Sequence, residues 1–487
     1  VSRDSGATWS HVDDAGLPKS PLGKIDVAVA PTASNRVYAL IQTANQGSVW
    51  RADDGGHAWH VVSWNRLLIG RAGYYIHLVV NSGNADEVLV SNSSFWKSVD
   101  GGKTWESQPW GGDNHDIWMD PLSPDHFGIT YDGGASVTSD HGKSMTRIAL
   151  PNAQMYHVAV DNQVPYWVYG NRQDDGTMRG PSDGMEGNDF PGATRIISFD
   201  SAGHVAAGRG GRGGFSGFGA YGRGGFGATR TTTWDHGLGG CESGFTIPDP
   251  TDPNIVWATC YANEVSRYDA RTGLARAVSP WIHTLDFAPM EAKYRCHWTP
   301  PLAIDPFDHN TVYYGCQVIF KTTNGGQSWS VISPDLSTRD SSRIVSSGGL
   351  VGDNLGQFAG EVVFAIAPSS IQRGLIWAGT NDGKVWYTRD GGLHWNDVSK
   401  NVGMAPWGTV RQISPSVFDP GTAYMAVDYH MMDNRHPFIY KTDDYGKTWK
   451  RISDALPQDH PLDYVMSVAE NPNRKGMLFA GTGHAFY

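Results

Sequence analysis

SVDGGKTW at residues 98–105 is one of a set: SRDSGATW stands at 2–9, TRDGGLHW at 388–395 and TDDYGKTW at 442–449. Three further copies each depart at one position, with Ala52 opening ADDGGHAW, Met145 closing TSDHGKSM and Asn324 inside TTNGGQSW. Most neighbouring copies fall roughly 40–65 residues apart, a period that marks a chain built by repeating one small unit. In each octet the Asp is expected to hydrogen-bond its own turn backbone while Gly supplies a left-handed conformation. The Trp then fills space between neighbouring sheets, so the octets read as structural.

A second signal overlaps the first. VAVAPTASNRVYAL (27–40), IWMDPLSPDHFGIT (117–130), LAIDPFDHNTVYYG (302–315) and FAIAPSSIQRGLIWAG (364–379) each pass from an apolar stretch through a turn into another β-rich stretch. The other such stretches centre on Asn81, Asp161, Asp249, Ser414 and Glu470, giving nine units. With the octet hairpin added, four strands in about 50 residues make one propeller blade. The expected fold is all-β: a β-propeller of four-stranded blades, about nine repeat units in seven to ten blades. It occupies 1–487 as a single propeller or as part of a tandem-propeller chain.

FAGTGHAFY (479–487) followed by VSRDSGATW (1–9) reads as one uninterrupted unit, parallel to WAGTNDGKVWYTRDGGLHW (377–395). The ends are therefore expected to close one shared blade, with truncation of a longer chain as the alternative. A Gly/Arg/Phe-rich segment at about 178–230, densest over 205–227, reads as an inserted surface loop; such tracts also bind RNA.

Sixty Gly, 19 Trp and 20 Tyr with only 18% charged residues fit a turn-rich β protein. A net charge of −11 argues against a nucleic-acid partner. No apolar run approaches the roughly 20 residues of a membrane helix. The chain has neither an initiator Met nor a signal peptide and reads as a mature or partial form. Cys241 and Cys260 stand at the start of the first strand and the end of the second in one unit; Cys296 and Cys316 hold the same places in the next. Those places are neighbours across a hairpin, which predicts two disulfides and an extracellular or periplasmic setting. A four-Cys zinc site is the alternative, though the usual CxxC pairs are missing.

Ligand sites in such a fold belong where first-strand starts and the facing loops converge. Counting back four residues from each turn gives Asp26, His77, Asp116 and His157 in four neighbouring units, then Phe245, Pro301, Val363 and Val410. Nearby strand starts add Tyr75, Asp113, His115, Tyr156, Glu242, His297 and Glu361; the facing loops add Arg172, Asp174, Asp175, Asp433 and His436. Three chemistries fit. Asp116 paired with Asp113, Glu242 or Glu361 would serve as acid and base in glycoside hydrolysis. No cofactor is expected, though His77, His115 and His157 with Asp113 are candidate ligands for a divalent metal. The rim would otherwise bind an extended polymer or peptide without chemistry.

The octets resemble the Asp-box (BNR) repeat of sialidases, the sortilin Vps10 domain and the xyloglucanases. GGDNHDIWMDP (111–121), MYHVAVDNQVPYWVYGNRQDDGT (155–177), ESGFTIPDPTDPNIV (242–256) and YKTDDYGKTW (440–449) are similar to bacterial sortilin-like, BNR-repeat "glycosyl hydrolase" proteins. The resemblance implies a secreted, carbohydrate-active propeller that binds a polysaccharide or oligosaccharide. A non-catalytic binder of peptides or proteins is the alternative. HDIWMDP (115–121) resembles the xyloglucanase strand carrying a catalytic Asp, which puts that role on Asp116; the second catalytic Asp of that family has no counterpart here. For the sialidase arginines, Arg411 and Arg172 are the inward candidates.

Overall fold

The computed structural model describes residues 1–2, 4–12, 15–132, 134–148, 154–183, 195–198 (backbone), 234–261, 263–281, 289–345, 350 and 360–487. Among them the chain is all-β: nine antiparallel sheets, seven of four strands, one of five and one of two. Strand order within the four-stranded sheets follows chain order, as consecutive hairpins require. The only α-helix among the described residues is the single turn Ser399–Val402. Among the described residues no helix is long and apolar enough to cross a membrane.

The chain forms two compact units, one built mainly from 1–152 and the other mainly from 153–188, 227–346 and 354–487. Within each, the first strands of successive sheets touch: Ile25–Val29, His77–Val80 and Asn114–Met119 in the first unit, and Val363–Pro368, Thr409–Pro415 and Val465–Glu470 in the second. The second strands Val37–Ile41, Ile376–Thr380 and Ala423–Tyr429 are buried at every residue. A strand covered on both faces reads as a continuous apolar run and needs cover on either side. Tyr38, Leu40 and Val49 of one sheet accordingly pack on Leu78, Val88 and Val90 of the next. Trp377 and Val385 pack on Val410, Met425 and Val427 in the same way. This layering is consistent with propeller blades.

Six of the seven octets close outer hairpins; SRDSGATW at 2–9 precedes the first strand, Ile25–Val29, and closes none among the described residues. Asp100 Oδ1 accepts from Lys103 N (3.0 Å) and Thr104 N (2.9 Å), while Oδ2 accepts from Thr104 Oγ1 (2.7 Å). Ser98 Oγ receives Gly102 N at 3.0 Å, and Gly101 and Gly102 sit at φ 74° and 86°. Trp105, Trp329, Trp395 and Trp449 pack against the buried clusters. Where Met145 replaces Trp it is 1% exposed and enters the core beside Phe127 and Trp110.

The expected loop at about 178–230 is partly ordered sheet. Its first residues complete the strand Gly176–Pro181, and Arg195–Ser198 adds an edge strand beyond Ser144–Ile148. The insertion falls between Gly176–Pro181 and its partner strand Asp235–His236, where an octet would otherwise stand. The densest part, 205–227, lies outside the described residues. Both predicted disulfides are present, Cys241–Cys260 and Cys296–Cys316, with Cα separations of 5.1 and 4.0 Å. At the C-terminal end, Phe486 bridges Gly481 beside the hairpin Val465–Glu470/Leu478–Thr482.

Asn324 holds its turn as Asp100 does, accepting Ser328 N at 3.0 Å and donating Nδ2 to Ser328 Oγ at 2.9 Å. Asp100→Asn should therefore leave the urea midpoint nearly unchanged. Asp100→Ala, which strips several turn donors of their acceptor, should cost about 1–2 kcal/mol. Equal midpoints for the two variants would refute this account.

Candidate functional site

A repeated irregularity sets the chemistry at the strand starts. Thr130 pairs with Asp116 and Tyr131 with Asn114, which leaves His115 as an extra, bulged residue. The same two-against-one pairing leaves Phe364 between Val363 and Ala365, Arg411 between Val410 and Gln412, and Met466 between Val465 and Ser467. Tyr156 and His157 lie in the corresponding irregularity between Met155 and Val158. A bulge re-aims a side chain while leaving the rest of the ladder in register. Val363 and Val410, assigned to the apolar half of the slot comparison, are 0% exposed core residues; the re-aimed residues beside them are Phe364 and Arg411.

In the first unit, GGDNHD is a sharp approach turn. Gly111 and Gly112 take φ 87° and 151°, Asp113 takes 47°, and a Cβ on Gly111 would stand 1.9 Å from Asn114 Oδ1. The turn presents Asp113 to Arg71 Nη2 (3.1 Å) and to the Tyr75 hydroxyl, which donates at 2.6 Å. Burial, reinforced by Asp113, pushes the Tyr75 hydroxyl well up and keeps it a donor. Tyr75 stacks on His115 at 4.3 Å, and His115 Nε2 meets Asp132 Oδ1 at 2.6 Å.

Beside this network runs a line of three predicted residues. His77 Nδ1 lies 2.8 Å from Asp26 Oδ2, and its Nε2 lies 3.1 Å from Asp116 Oδ1. The Asp26 hydrogen bond raises the His77 pKa against the opposing effect of burial. Burial works to raise Asp26, but hydrogen bonds from His77 and from Leu78 N (2.6 Å) outweigh it and hold the carboxyl low. Asp116 has the most open side chain of the three, 68% exposed; Ile117 N donates to its Oδ1 at 2.7 Å.

In the second unit the predicted residues meet a different environment. His157 stacks on Phe245 at 3.7 Å, with Nδ1 3.1 Å from Gly244 O. His297 Nδ1 receives Thr299 N at 3.1 Å, and its ring meets the edge of Phe364 at 4.7 Å. Burial, assisted by the charge of Arg411, lowers His157 to about 4 and His297 to about 3. Arg411 itself spans Asp428 Oδ2, with Nε at 3.0 Å and Nη2 at 2.9 Å, and lies 5.3 Å from the Phe364 ring centre. Trp298 Nε1 donates to the Tyr156 hydroxyl at 2.8 Å.

Other expected residues are placed less productively. Glu361 is 3% exposed, and its Oε2 is held by Thr338 Oγ1 (2.8 Å) and Asp340 N (2.7 Å). Thr338 Oγ1 also reaches Asp382 Oδ2 at 2.7 Å. One hydroxyl has one proton, so two carboxyls sharing it are best served when Glu361 keeps its own. Burial raises its pKa in agreement. Glu361 is thus an interior acid, and Asp113 is committed to Arg71 and Tyr75. Glu242 is half-buried ahead of the strand Thr246–Pro248. Arg172 Nε approaches Asp175 at 3.7 Å, and exposed Asp174 occupies a left-handed turn position at φ 63°. Asp433 and His436 are exposed.

The metal candidates form no ligand triad. His77 spends its two nitrogens on opposite carboxylates, His115 faces Asp132, and His157 packs on Phe245. Sequence reasoning missed Arg71, Asp132, Phe364 and Asp428; the bulge hides Phe364, and the other three are partners rather than slot residues.

The histidines carry opposite pH signatures. For His77 the folded pKa is raised, so its stabilisation is complete below pH 6.5 and is lost as pH rises through the folded value. For His157 and His297 it is lowered, so their contribution is complete above pH 6.5 and is lost as pH falls toward 4 and 3. The difference in thermal midpoint between wild type and His77→Gln should shrink as pH rises from 6 to 9. His297→Asn should instead relieve instability on the acid side. The same trend in both variants would contradict these assignments.

No protein-family model matches the chain. It is 22% identical over 95% of its length to a probable oligoxyloglucan-reducing end-specific xyloglucanase of Neosartorya fischeri, and spans 58% of that relative. A second xyloglucanase, from Emericella nidulans, is 28% identical over 23% of this chain and 13% of its own. Among solved structures, a GH74 enzyme of Niastella koreensis is 16% identical, covering 94% of this chain and 70% of its own at a TM-score of 0.21. The GH74 xyloglucanase of Xanthomonas campestris is 16% identical, covering 95% and 72% at 0.20; neither score supports inference from superposition. The chain's likeness to known proteins is thus a weak, nearly full-length similarity in sequence to part of a xyloglucanase.

Proposed function

We propose that this chain is a secreted, Asp-box β-propeller that binds an extended β-glucan-type polysaccharide or oligosaccharide at its strand starts and hydrolyses it through Asp116. The observation that carries the reading is the Asp26–His77–Asp116 line, which ends in an open carboxylate. His77 and Ile117 N both face Oδ1, which leaves Oδ2 to take a proton from a water attacking the anomeric carbon as the glycosidic C–O bond breaks, the departing sugar oxygen taking its proton from solvent. Exposed Tyr74 beside the Tyr75–His115 stack offers a flat apolar face with polar edges, suited to a sugar ring. The xyloglucanase relatives support a polysaccharide substrate, and two disulfides support export.

The second reading is a sortilin-like propeller that binds glycan or peptide without turnover. It is favoured by the engagement of Asp113 and Glu361, two of the acids expected to partner Asp116. Turnover of xyloglucan oligosaccharides by purified wild type, with an about 10²–10⁴-fold loss of kcat in Asp116→Asn at an unchanged thermal midpoint, is the expected outcome. Full activity in Asp116→Asn would remove Asp116 from the chemistry. A stable wild-type complex with no product would establish the binding reading.

A further inference from the structure

Outside the strand-start network, one cluster has the makings of a metal site. His460, Asp463 and His484 each offer one ligand atom, and these atoms lie within 4.8 Å of one another. Asp463 is 1% exposed, and its Oδ1 is buried without a hydrogen-bond partner. Its other oxygen is occupied by His460 N at 2.8 Å. A buried carboxylate oxygen without a donor is costly unless something cationic takes it up. His484 Nε2 faces that oxygen at 3.8 Å.

The surroundings prepare the ligands. His484 Nδ1 lies 3.1 Å from Leu462 O; an N–H donated there fixes the tautomer that leaves Nε2 with its lone pair. The His460 and His484 rings lie 4.1 Å apart, so both imidazoles can turn to one point. Leu462 N donates to His460 Nδ1 at 3.1 Å, and this is the one bond that cation binding disturbs, whichever ring nitrogen binds. Ligand atoms around a tetrahedral dication stand about 3.3 Å apart, so the 3.8 Å gap closes with about half an ångström of movement.

We propose that His460, Asp463 and His484 bind a transition-series dication of the zinc type. Two imidazoles and one carboxylate suit such an ion; magnesium and calcium prefer all-oxygen shells. Both histidines are exposed, so the fourth position stays open to water. The ion ties the turn before Val465–Glu470 to the turn after Leu478–Thr482.

The test is calorimetric titration of tag-free, chelator-stripped full chain with ZnCl2 at pH 7.5. One saturable zinc per chain is expected, with no heat from MgCl2. His484→Gln and Asp463→Asn should each weaken binding at least about 100-fold, since even losing a partner that only orients a ligand costs 10–100-fold. His60→Gln, an exposed histidine elsewhere, should change nothing. His484→Gln keeps the test decisive if Asp463→Asn fails to fold. Absence of one-to-one binding, or binding undiminished in His484→Gln, overturns the proposal. Neither result bears on Asp116 or on glycan turnover.

Discussion

A strand covered on both faces cannot stand alone, and Val37–Ile41, Ile376–Thr380 and Ala423–Tyr429 are buried along their whole length. Each such sheet must be covered on both faces, by neighbouring sheets or, for Val37–Ile41, by a neighbouring sheet on one side and Leu17 and Leu22 on the other, and the cover removes most freedom from the side chains along its strands. The octets settle the outer hairpins mostly from within, because the octet Asp takes up turn amides up to four residues on, while one further turn amide reaches back to the preceding turn, as Gly101 N does to Asp86 O. What remains adjustable is the start of the first strand. A bulge there re-aims one side chain and leaves the rest of the register intact. His115, Phe364, Arg411 and Met466 all occupy that place.

The same constraint decides what was legible in the sequence. Turn residues and apolar runs are local signals, so the hairpins, the octet turns and both disulfides could be read directly. The slot comparison recovered Asp26, His77 and Asp116, which do line up. At Val363 and Val410 it found apolar core residues, but it could not see that a bulge beside each re-aims Phe364 and Arg411. Glu361 could not be distinguished from an open acid, since its burial and its partner Thr338 come from a distant loop. The zinc-type cluster left a trace in the three-residue spacing of His460 and Asp463. The third member, His484, joins only through the last hairpin.

The strand-start histidines show how strongly neighbours govern a shared position. His77 has a carboxylate at 2.8 Å and is pushed toward its charged form. His157 has an aromatic face at 3.7 Å and Arg411 in its field, and is held neutral. Asp428 neutralises Arg411, so its guanidinium adds a flat face over Phe364 as much as a charge. The second unit therefore places neutral imidazoles beside ring faces at these positions. The first offers an Asp–His–Asp line ending in an open carboxylate.

That contrast narrows which acid can act. A carboxylate must be reachable and have a free oxygen, and its partners must not consume it. Asp26 is tied to His77 and Leu78, Asp113 to Arg71 and Tyr75, and Glu361 is enclosed with Asp382. Asp116 alone among these four combines a histidine at one oxygen with solvent at the other. The bulge that displaces His115 sits directly before it in the strand. The backbone irregularity that positions the Tyr75–His115 stack thus also sets the place of Asp116, and the two belong to one local design.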